Sequence, residues 1–345
     1  VDHGFDYPWR QFKKDLGFRD KEITALFGCG FDLRNKMVAD GIYNFSDPNF
    51  INNLNKYIKN TDKVELVQKF AYINTIKERN ELNKQFTDNN EYTPKRIDDT
   101  YKDLLEFDDD EVEVFIDFET TYINIDYLKE ISIFGTDKDE VNHNEKEFED
   151  WHLKSLDNKV VFMIGIGWNW TQNMRKSRTQ WEYKTFCVNS LTHIEEARIF
   201  HNMLDYLTYL HRTFGHDSDE KENLVLYHWS PAERREFDEL INKYSKNFKM
   251  EYTWFDLHKF TNVIKFIVQD QTSFSIKSVA NAMYNNELVD ETWGHEDKDI
   301  TNGNEASLWA KWIGQVTNHM EEHRVMKKIE RYNEYEYKMM MHILY

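Results

Sequence analysis

The sequence predicts an α/β fold in which a mixed five-stranded sheet is flanked by helices, after a mainly helical N-terminal region. Three apolar segments rich in β-branched and aromatic residues follow one another in the middle of the chain. Strand-like and helix-like segments then alternate, an order that indicates an α/β sheet rather than a helical bundle. The 345 residues suffice for two domains, which we place at 1–104 and 105–345.

The N-terminal region is mostly polar, with helical patterns. Helices predicted at 21–27 and 32–40 flank the turn Gly28-Cys29-Gly30, and residues 41–48 close the segment. This arrangement is similar to a helix-hairpin-helix element, whose glycine turn offers backbone N–H groups to a phosphate. The alternative is an αα-hairpin whose glycine ends a helix and binds nothing. An amphipathic helix around 64–82 and a loop at 88–94 are expected to follow.

The second region contains the predicted sheet. Strands are expected at 112–120, 160–168, 180–188, 223–229 and 252–256. Helices are expected at 193–212, 231–248, 258–268, 274–285, 304–317 and 319–344. The polar residues 121–158 predict a long insertion or loop. Gly165 and Gly167 lack the context of a phosphate-binding loop, so we expect them to allow close packing within their strand.

Composition and charge limit the function classes. The 62 acidic and 44 basic residues give a formal charge of −18, which argues against a generally basic nucleic-acid coat. A nuclease remains compatible, since its metal site must be acidic and its basic patches can be local. Cys29 and Cys187 are too few for a disulfide framework or a cysteine-based zinc site, which indicates a reducing, intracellular compartment.

Other features of the sequence concern membrane association, the ends of the chain and the source of the protein. No apolar run approaches about 18 residues, so no membrane partner is expected. The chain starts at Val1 without a signal-peptide pattern and stops at Tyr345 within an apolar helical pattern. We therefore expect a segment of a longer polypeptide, or missing or disordered flanks. Frequent Asn, Lys, Ile, Phe and Tyr are consistent with an AT-rich genome, including a viral one.

The first strand carries the main functional signal, because it ends in Asp117-Phe118-Glu119. Residues i and i+2 of a strand point to the same face, so both carboxylates project from one side. Burying two like charges together is unfavourable unless cations neutralise them. The pair is therefore a candidate site for hard divalent metals, which take oxygen ligands. The alternative is a strand that simply runs out into solvent.

Three further acids stand on or beside the later elements. Glu233 begins the helix after the fourth strand, and Asp256 closes the fifth. Glu336 lies on the last helix, where Tyr332 shares its face at spacing i, i+4. Each acid taken singly is more simply a surface residue. The occurrence of all three together is stronger evidence for a functional site than any one of these acids alone.

In this order, the segments resemble the DEDD branch of ribonuclease H-like 3′–5′ exonucleases. Within that branch they look most like the ribonuclease H-like domain found downstream of RecB-type nuclease domains. The segments that carry the resemblance are Asp117-Phe118-Glu119, 162–168, 224–233, Asp256-Leu257, 275–280 and 332–336. The resemblance covers about residues 108–345 and implies a ribonuclease H-like sheet. Residues 22–48 also look like the connector that precedes this domain in such fusions, which implies an upstream nuclease or helicase domain as a partner.

The resemblance implies a two-metal phosphodiesterase, a 3′–5′ exonuclease acting on single-stranded ends of DNA or RNA with two Mg²⁺ or Mn²⁺ ions. Asp117 would bridge both ions, and Glu119 and Glu336 would complete one of them. Glu233 would hold the other through water, and Tyr332 would orient the attacking water. Lys277 and His228 would contact substrate, with a solvated lysine and a packed histidine as the alternatives. Asp256 is either an additional ligand or, as we favour, a structural strand-end acid.

The sequence departs from the family pattern at two acids. Glu233 and Glu336 stand where Asp is usual, and each is one methylene longer. His228-Trp229-Ser230-Pro231 replaces the usual approach to the second acid. The alternative function is a catalytically degenerate ribonuclease H-like module used for nucleic-acid binding or protein assembly. A third hypothesis, a polymerase proofreading domain, would need a polymerase region that this chain lacks.

Overall fold

A computed structural model describes residues 9–75, 92–93, 112–123, 159–170, 181–214, 224–290, 300 and 302–344. Within these residues the α-helices are, in chain order, α1 (Trp9–Arg19), α2 (Phe31–Ala39), α3 (Pro48–Tyr57), α4 (Thr61–Ile73), α5 (His193–Phe214), α6 (Pro231–Tyr244), α7 (Leu257–Val263), α8 (Ile276–Asn285), α9 (Gly303–Val316) and α10 (Arg324–Leu344). The strands are β1 (Tyr92–Thr93), β2 (Val112–Tyr122), β3 (Lys159–Trp170), β4 (Glu182–Cys187), β5 (Leu224–His228), β6 (Tyr252–Asp256) and β7 (Ile267–Val268). None of the described helices is long and apolar enough to cross a bilayer.

The chain divides into two compact units. Unit 1 takes the described residues within 1–107, 257–293 and 342–345, and unit 2 takes those within 108–256 and 294–341. The first division lies close to the expected boundary after residue 104. The segment 257–293 differs from expectation, because we assigned it to the second domain and it groups with unit 1.

The contacts of unit 1 explain that difference. Phe274 packs edge-on against Phe27 and Phe70, with ring centroids 5.3 Å apart in both pairs. The buried Asn74 side chain donates to the carbonyl of Gln271 at 2.9 Å and accepts from the Asp270 N–H at 2.7 Å. Shared aromatic packing and buried hydrogen bonds therefore join this late segment to the N-terminal helices.

The predicted helix at 258–268 is wrong in its second half. Helix α7 ends at Val263, and Lys265 takes a left-handed backbone conformation with φ 54°. Residues 267–268 then pair with β1 as an antiparallel strand. A left-handed residue cannot continue a right-handed helix, so the chain turns here.

The helix-hairpin-helix expectation is wrong at its first helix. Residues 21–27 contain only a short 3₁₀ turn at Ile23–Ala25, and the extended Glu22 accepts from Arg34 Nε at 2.6 Å. Helix α2 matches the second expected helix. It ends in a Schellman motif at Gly41, φ 83°, where the Ile42 N–H donates to the Met37 carbonyl. An αα-hairpin around Gly28-Cys29-Gly30, our alternative, lacks its first helix for the same reason, and the glycine that ends a helix here is Gly41.

Several expected segments fall partly outside the described residues. Helix α4 covers the first part of the predicted 64–82 helix, and the remainder lies outside. Within the predicted 88–94 loop, only the two residues of β1 are described. Most of the predicted 121–158 insertion also lies outside.

Unit 2 contains a five-stranded mixed sheet in the order β4-β3-β2-β5-β6. Strand β2 is parallel to β5, which is parallel to β6, whereas β3 is antiparallel to both β2 and β4. Strands β2 and β3 lie in the centre and are buried on both faces, which explains their nearly continuous apolar runs. The prediction of an α/β fold with a mixed sheet of five strands flanked by helices is confirmed.

Gly165 lets helix α10 approach the centre of the sheet. It pairs with Asp117 across β3 and β2. A Cβ atom at this position would lie 2.0 Å from Asn333 Oδ1 and 2.5 Å from the Tyr337 hydroxyl oxygen. Gly167 likewise leaves room for the Trp181 ring, whose Cη2 would lie 2.1 Å away. The expectation that these glycines permit close packing is confirmed.

Candidate metal centre

Three carboxylates converge where α10 crosses β2. One ligand oxygen from each of Asp117, Glu119 and Glu336 lies within 4.8 Å of the other two. Glu119 is buried, whereas Asp117 and Glu336 each keep a minor part of their surface open. Among the described residues, this group could hold a metal ion.

The backbone geometry of the two elements brings these side chains together. Asp117 and Glu119 share one face of β2 because side chains alternate along a strand. Tyr332, Asn333 and Glu336 share one face of α10 because residues three and four apart are neighbours on a helix. The glycine at 165 allows that helical face to touch the strand.

Asn333 links the two acids of the strand. Its Nδ2 donates to Asp117 Oδ2 at 2.7 Å and lies 3.4 Å from Glu119 Oε1. Its Oδ1 accepts from the Tyr183 hydroxyl of β4 at 3.1 Å. The Tyr337 hydroxyl donates to the backbone carbonyl of Asp117 at 3.3 Å. These neutral donors orient the carboxylates but do not cancel their charge.

The electrostatics of the cluster are unfavourable without a cation. Burial raises the pKa of Asp117 well above its ordinary value, and the charges of Glu336, Glu119 and Glu233 raise it further. Burial likewise raises the pKa of Tyr332, with Glu336 as the next cause. Tyr332 therefore stays neutral and donates its hydroxyl proton to Glu336 Oε1 at 2.6 Å. A bound divalent cation would favour the charged form of Asp117.

Helix α9 begins beside the cluster. A Cβ atom on Gly303, its first residue, would lie 3.8 Å from Glu119 Oε2. Thr121 and Ser307 join the helix to β2, since the Thr121 hydroxyl donates to the Ser307 carbonyl at 3.1 Å. The positive end of a helix dipole therefore faces one of the acids.

Glu233 is not one of the three converging acids. Its Oε2 accepts from the Ser230 N–H at 3.0 Å and from the Ser230 hydroxyl at 2.9 Å, which completes a capping box at the start of α6. Glu233 is near enough to raise the pKa of Asp117. Its role as ligand of a second ion stays a prediction. The sequence Ser230-Pro231-Ala232-Glu233 already carried the capping signal.

The other residues that the sequence suggested for the site are His228, Asp256 and Lys277. His228 is buried edge-on against Trp254, and its Nδ1 donates to the Ser230 carbonyl at 2.5 Å, which fits the packed alternative. Asp256 ends β6 opposite His228 and is not among the three converging acids. Lys277 lies on α8 in unit 1, whereas the carboxylates lie in unit 2.

Three side chains around the acids, Asn333, Tyr337 and Tyr183, had no role predicted from the sequence. Asn333 stood inside the segment 332–336, but nothing in its residue type singled it out. The spacing i, i+4 between Asn333 and Tyr337 was a readable signal, since it repeats the spacing of Tyr332 and Glu336. The contribution of Tyr183 depends on the pairing of β4 with β3, which sequence alone does not specify.

The donor set fits a hard divalent cation. All three candidate ligands are carboxylates, and Mg²⁺ and Mn²⁺ prefer oxygen donors. No cysteine or histidine belongs to the group among the described residues. No protein-family model matches the chain, and no curated protein is significantly similar to it.

Proposed function

We propose that unit 2 is a metal-dependent nuclease, a phosphodiesterase of the DEDD type on a ribonuclease H-like sheet that removes nucleotides from 3′ ends of DNA or RNA. The convergence of Asp117, Glu119 and Glu336 on one point carries this proposal. The mixed five-stranded sheet agrees with the fold that the sequence motifs imply. Mg²⁺ or Mn²⁺, two ions in this class of site, would activate water and stabilise charge on the leaving oxygen.

The residues of the chain would then act in different ways. Asp117, Glu119 and Glu336 would hold the metal through their carboxylate oxygens. Tyr332 donates to Glu336 and would orient the attacking water. Asn333 holds Asp117 and Glu119 in position through its amide. Glu233 would join through a water molecule while its Oε2 stays in the capping box.

An assay on end-labelled oligonucleotides tests this proposal. The whole chain should degrade single-stranded DNA or RNA in Mn²⁺ or Mg²⁺ and should stop when EDTA is added. Asp117→Asn should lower the rate by about 10²- to 10³-fold or more, because the variant removes the central charged ligand. The matched control is Glu182→Gln, an exposed acid on β4, which should leave the rate unchanged. Activity retained in Asp117→Asn would contradict the proposed site.

A second candidate function has a specific observation in its favour. Glu233 is engaged in the capping box, and both Glu233 and Glu336 are longer than the usual aspartate. A degenerate module that binds nucleic acid or assembles with proteins would tolerate both features. Such a module would bind Mn²⁺ weakly by calorimetry and would leave labelled oligonucleotides intact.

The two cysteines bear on the cellular compartment of the protein, and the family resemblance bears on its partners. Cys29 and Cys187 are free, and burial raises the pKa of each thiol to about 12. Unreactive free thiols support a reducing compartment. An upstream nuclease or helicase domain as a partner stays a prediction.

A further inference from the structure

Strand β4 forms one edge of the sheet in unit 2. It pairs with β3 on one side and, among the described residues, with no strand on the other. An edge strand presents backbone N–H and C=O groups with which another strand can pair. The outer side of β4 is therefore a place where a further strand could join the sheet.

The register of β4 shows which backbone groups point outward. Residues of an antiparallel pair alternate between those that exchange hydrogen bonds with the neighbouring strand and those whose backbone groups point away from it. The Val188 N–H donates to the Phe162 carbonyl at 3.0 Å, and these residues lie opposite each other because Cys187 pairs with Met163. The even-numbered residues of β4 therefore bond to β3, and the odd-numbered residues direct their N–H and C=O groups to the outer side.

The outward groups in the middle of β4 are free. The Cys187 carbonyl accepts from Arg198 Nη2 of α5 at 2.9 Å, which agrees with its outward direction and occupies this end of the edge. The outward N–H and C=O groups of Tyr183 and Thr185 have no hydrogen-bond partner in the described part of the chain. A strand that joins the sheet would therefore pair around these two residues.

Two opposite charges lie on the same stretch of the edge. Glu182 and Lys184 are exposed, and their spacing of two places them on one face of the strand. Neither forms an ion pair with a described residue, and Lys184 Nζ lies over the Tyr206 ring, 4.1 Å from its centroid. Both charges are therefore available to a strand laid along β4.

A second copy of β4, running antiparallel, fits this pattern in one register. Outward residues must face outward residues, so the twofold axis falls on a residue and not between two. An axis at Glu182 or at Lys184 sets that residue opposite its own copy, which opposes like charges. An axis at residue 185 needs the Cys187 carbonyl, where Arg198 already binds. An axis at Tyr183 sets each Glu182 opposite Lys184 of the other copy.

We propose that two copies of the chain associate through β4, paired antiparallel about Tyr183, so that their sheets become continuous. The two Tyr183 residues exchange both backbone hydrogen bonds, and a Glu182–Lys184 pair forms on each side of the axis. The interface is isologous, since both copies contribute the same surface. Strand β2, which carries Asp117, lies two strands away from this edge, so the nuclease rate is not expected to depend on the pairing.

Sedimentation equilibrium of the whole chain, at low salt and across the micromolar range, tests the inference. The unaltered protein should show a monomer–dimer equilibrium. Glu182→Lys and Lys184→Glu each set like charges opposite each other and should raise the dissociation constant by about tenfold or more. The double variant with both changes restores opposite charges in the same register and should bind within about threefold of the unaltered protein. The matched control is Asp238→Lys, which makes the same change of charge on α6 and should leave the dimer unchanged.

A change in the backbone tests the pairing itself. Thr185→Pro removes one outward N–H, and proline is tolerated on an edge strand where the N–H faces outward. The variant should therefore keep the circular dichroism spectrum of the unaltered protein and lose the dimer.

Three results would overturn the inference. If the unaltered protein is a monomer throughout, Glu182 and Lys184 protect the edge from pairing. If a dimer forms that neither single charge variant weakens, it uses another surface. If the double variant is as weak as the single variants, the two charges do not meet across the axis, and the register about Tyr183 is wrong.

Discussion

In unit 2, the buried carboxylate of Glu196 and the carboxylates around Asp117 have different surroundings. Glu196 Oε1 accepts from the Val161 N–H at 2.8 Å, and Oε2 lies 2.8 Å from Lys243 Nζ and 3.1 Å from His193 Nδ1. The Tyr244 hydroxyl also donates to Oε2. Although burial raises its pKa, these hydrogen bonds together lower the pKa of Glu196 to about 2.

Asp117 lacks a comparable lysine or histidine among the described residues. Its carboxylate accepts from the neutral amide of Asn333, and the charges that act on it are those of Glu336, Glu119 and Glu233. The pKa of Asp117 therefore moves up, whereas that of Glu196 moves down. The comparison separates an acid whose charge the fold stabilises, Glu196, from an acid whose charge its neighbours disfavour, Asp117.

The largest effect is expected at Glu196. Glu196→Ala should lower the free energy of unfolding by about 3 kcal/mol, because it leaves the buried Val161 N–H without an acceptor and removes the buried carboxylate to which Lys243 and Tyr244 donate. Urea unfolding followed by circular dichroism measures this change. The control Asp238→Ala removes an exposed acid 3.9 Å from Arg234 and should change stability by about 0.5 kcal/mol or less. Equal effects of both variants would contradict the structural role of Glu196.

The pH dependence of stability should also reflect the stabilised charge of Glu196. The folded pKa of Glu196, about 2, lies below its ordinary value of 4.5, so the stability it contributes is complete above about pH 4.5. That contribution is lost as the pH falls toward 2, and it corresponds to roughly 3 kcal/mol. The free energy of unfolding, measured between pH 4.5 and pH 2, should fall as the pH is lowered. The fall should be smaller in Glu196→Gln. If the free energy of unfolding of that variant depends on pH as it does in the unaltered protein, other groups cause the loss of stability in acid.

A smaller effect is expected where helix and sheet meet at Gly165. Gly165→Ala places a methyl group against Asn333 and Tyr337 and should cost about 1–3 kcal/mol while displacing the Asn333 amide. Thermal unfolding measures the cost, and Mn²⁺ calorimetry measures the expected weaker binding. Gly17→Ala, in the interior of α1, provides a contrast and should stabilise the protein by up to about 1 kcal/mol. A Gly165→Ala variant with unchanged Mn²⁺ affinity would show that the site does not need the close approach of α10.

The smallest effect, with the opposite sign, is expected at Asp117 itself. In EDTA, Asp117→Asn should raise the free energy of unfolding by about 1–2 kcal/mol, since it removes a buried charge that other carboxylates repel. Because the folded pKa of Asp117 is raised, the contribution of this group is full below its ordinary pKa of 3.8. It is lost as the pH rises through the raised value. Thermal unfolding in EDTA at several pH values checks this dependence, which the variant should lack.

Mn²⁺ supplies the complementary measurement. The unaltered protein should gain stability on adding Mn²⁺, because binding to the folded state alone shifts unfolding. Asp117→Asn should gain little. If Asp117→Asn without metal is less stable than the unaltered protein, the protein already stabilises the Asp117 charge. Asp117 would then not differ from Glu196 in this respect.

The sheet was predictable because both faces of its central strands are buried. Burial on both faces requires a nearly continuous apolar run, and the run at 160–168 is therefore a strong strand signal in a mostly polar chain. Helix ends were less predictable, as at 258–268, where one left-handed residue at Lys265 ends α7. The unit boundary was missed for the 257–293 segment because the packing of Phe274 with Phe27 and Phe70 joins residues far apart in sequence.

The sequence by itself determined which acids share a face. The period of two in β2 places Asp117 with Glu119, and the helical period in α10 places Glu336 with Tyr332. Tertiary structure alone decided that these two faces meet, since strand register puts Gly165 opposite Asp117 and opens the space that Asn333 fills. It also decided that Glu196 has a cation and Asp117 has none among the described residues. Local periodicity fixes directions of side chains, whereas the distance between two charges depends on packing between segments that the chain separates by many residues.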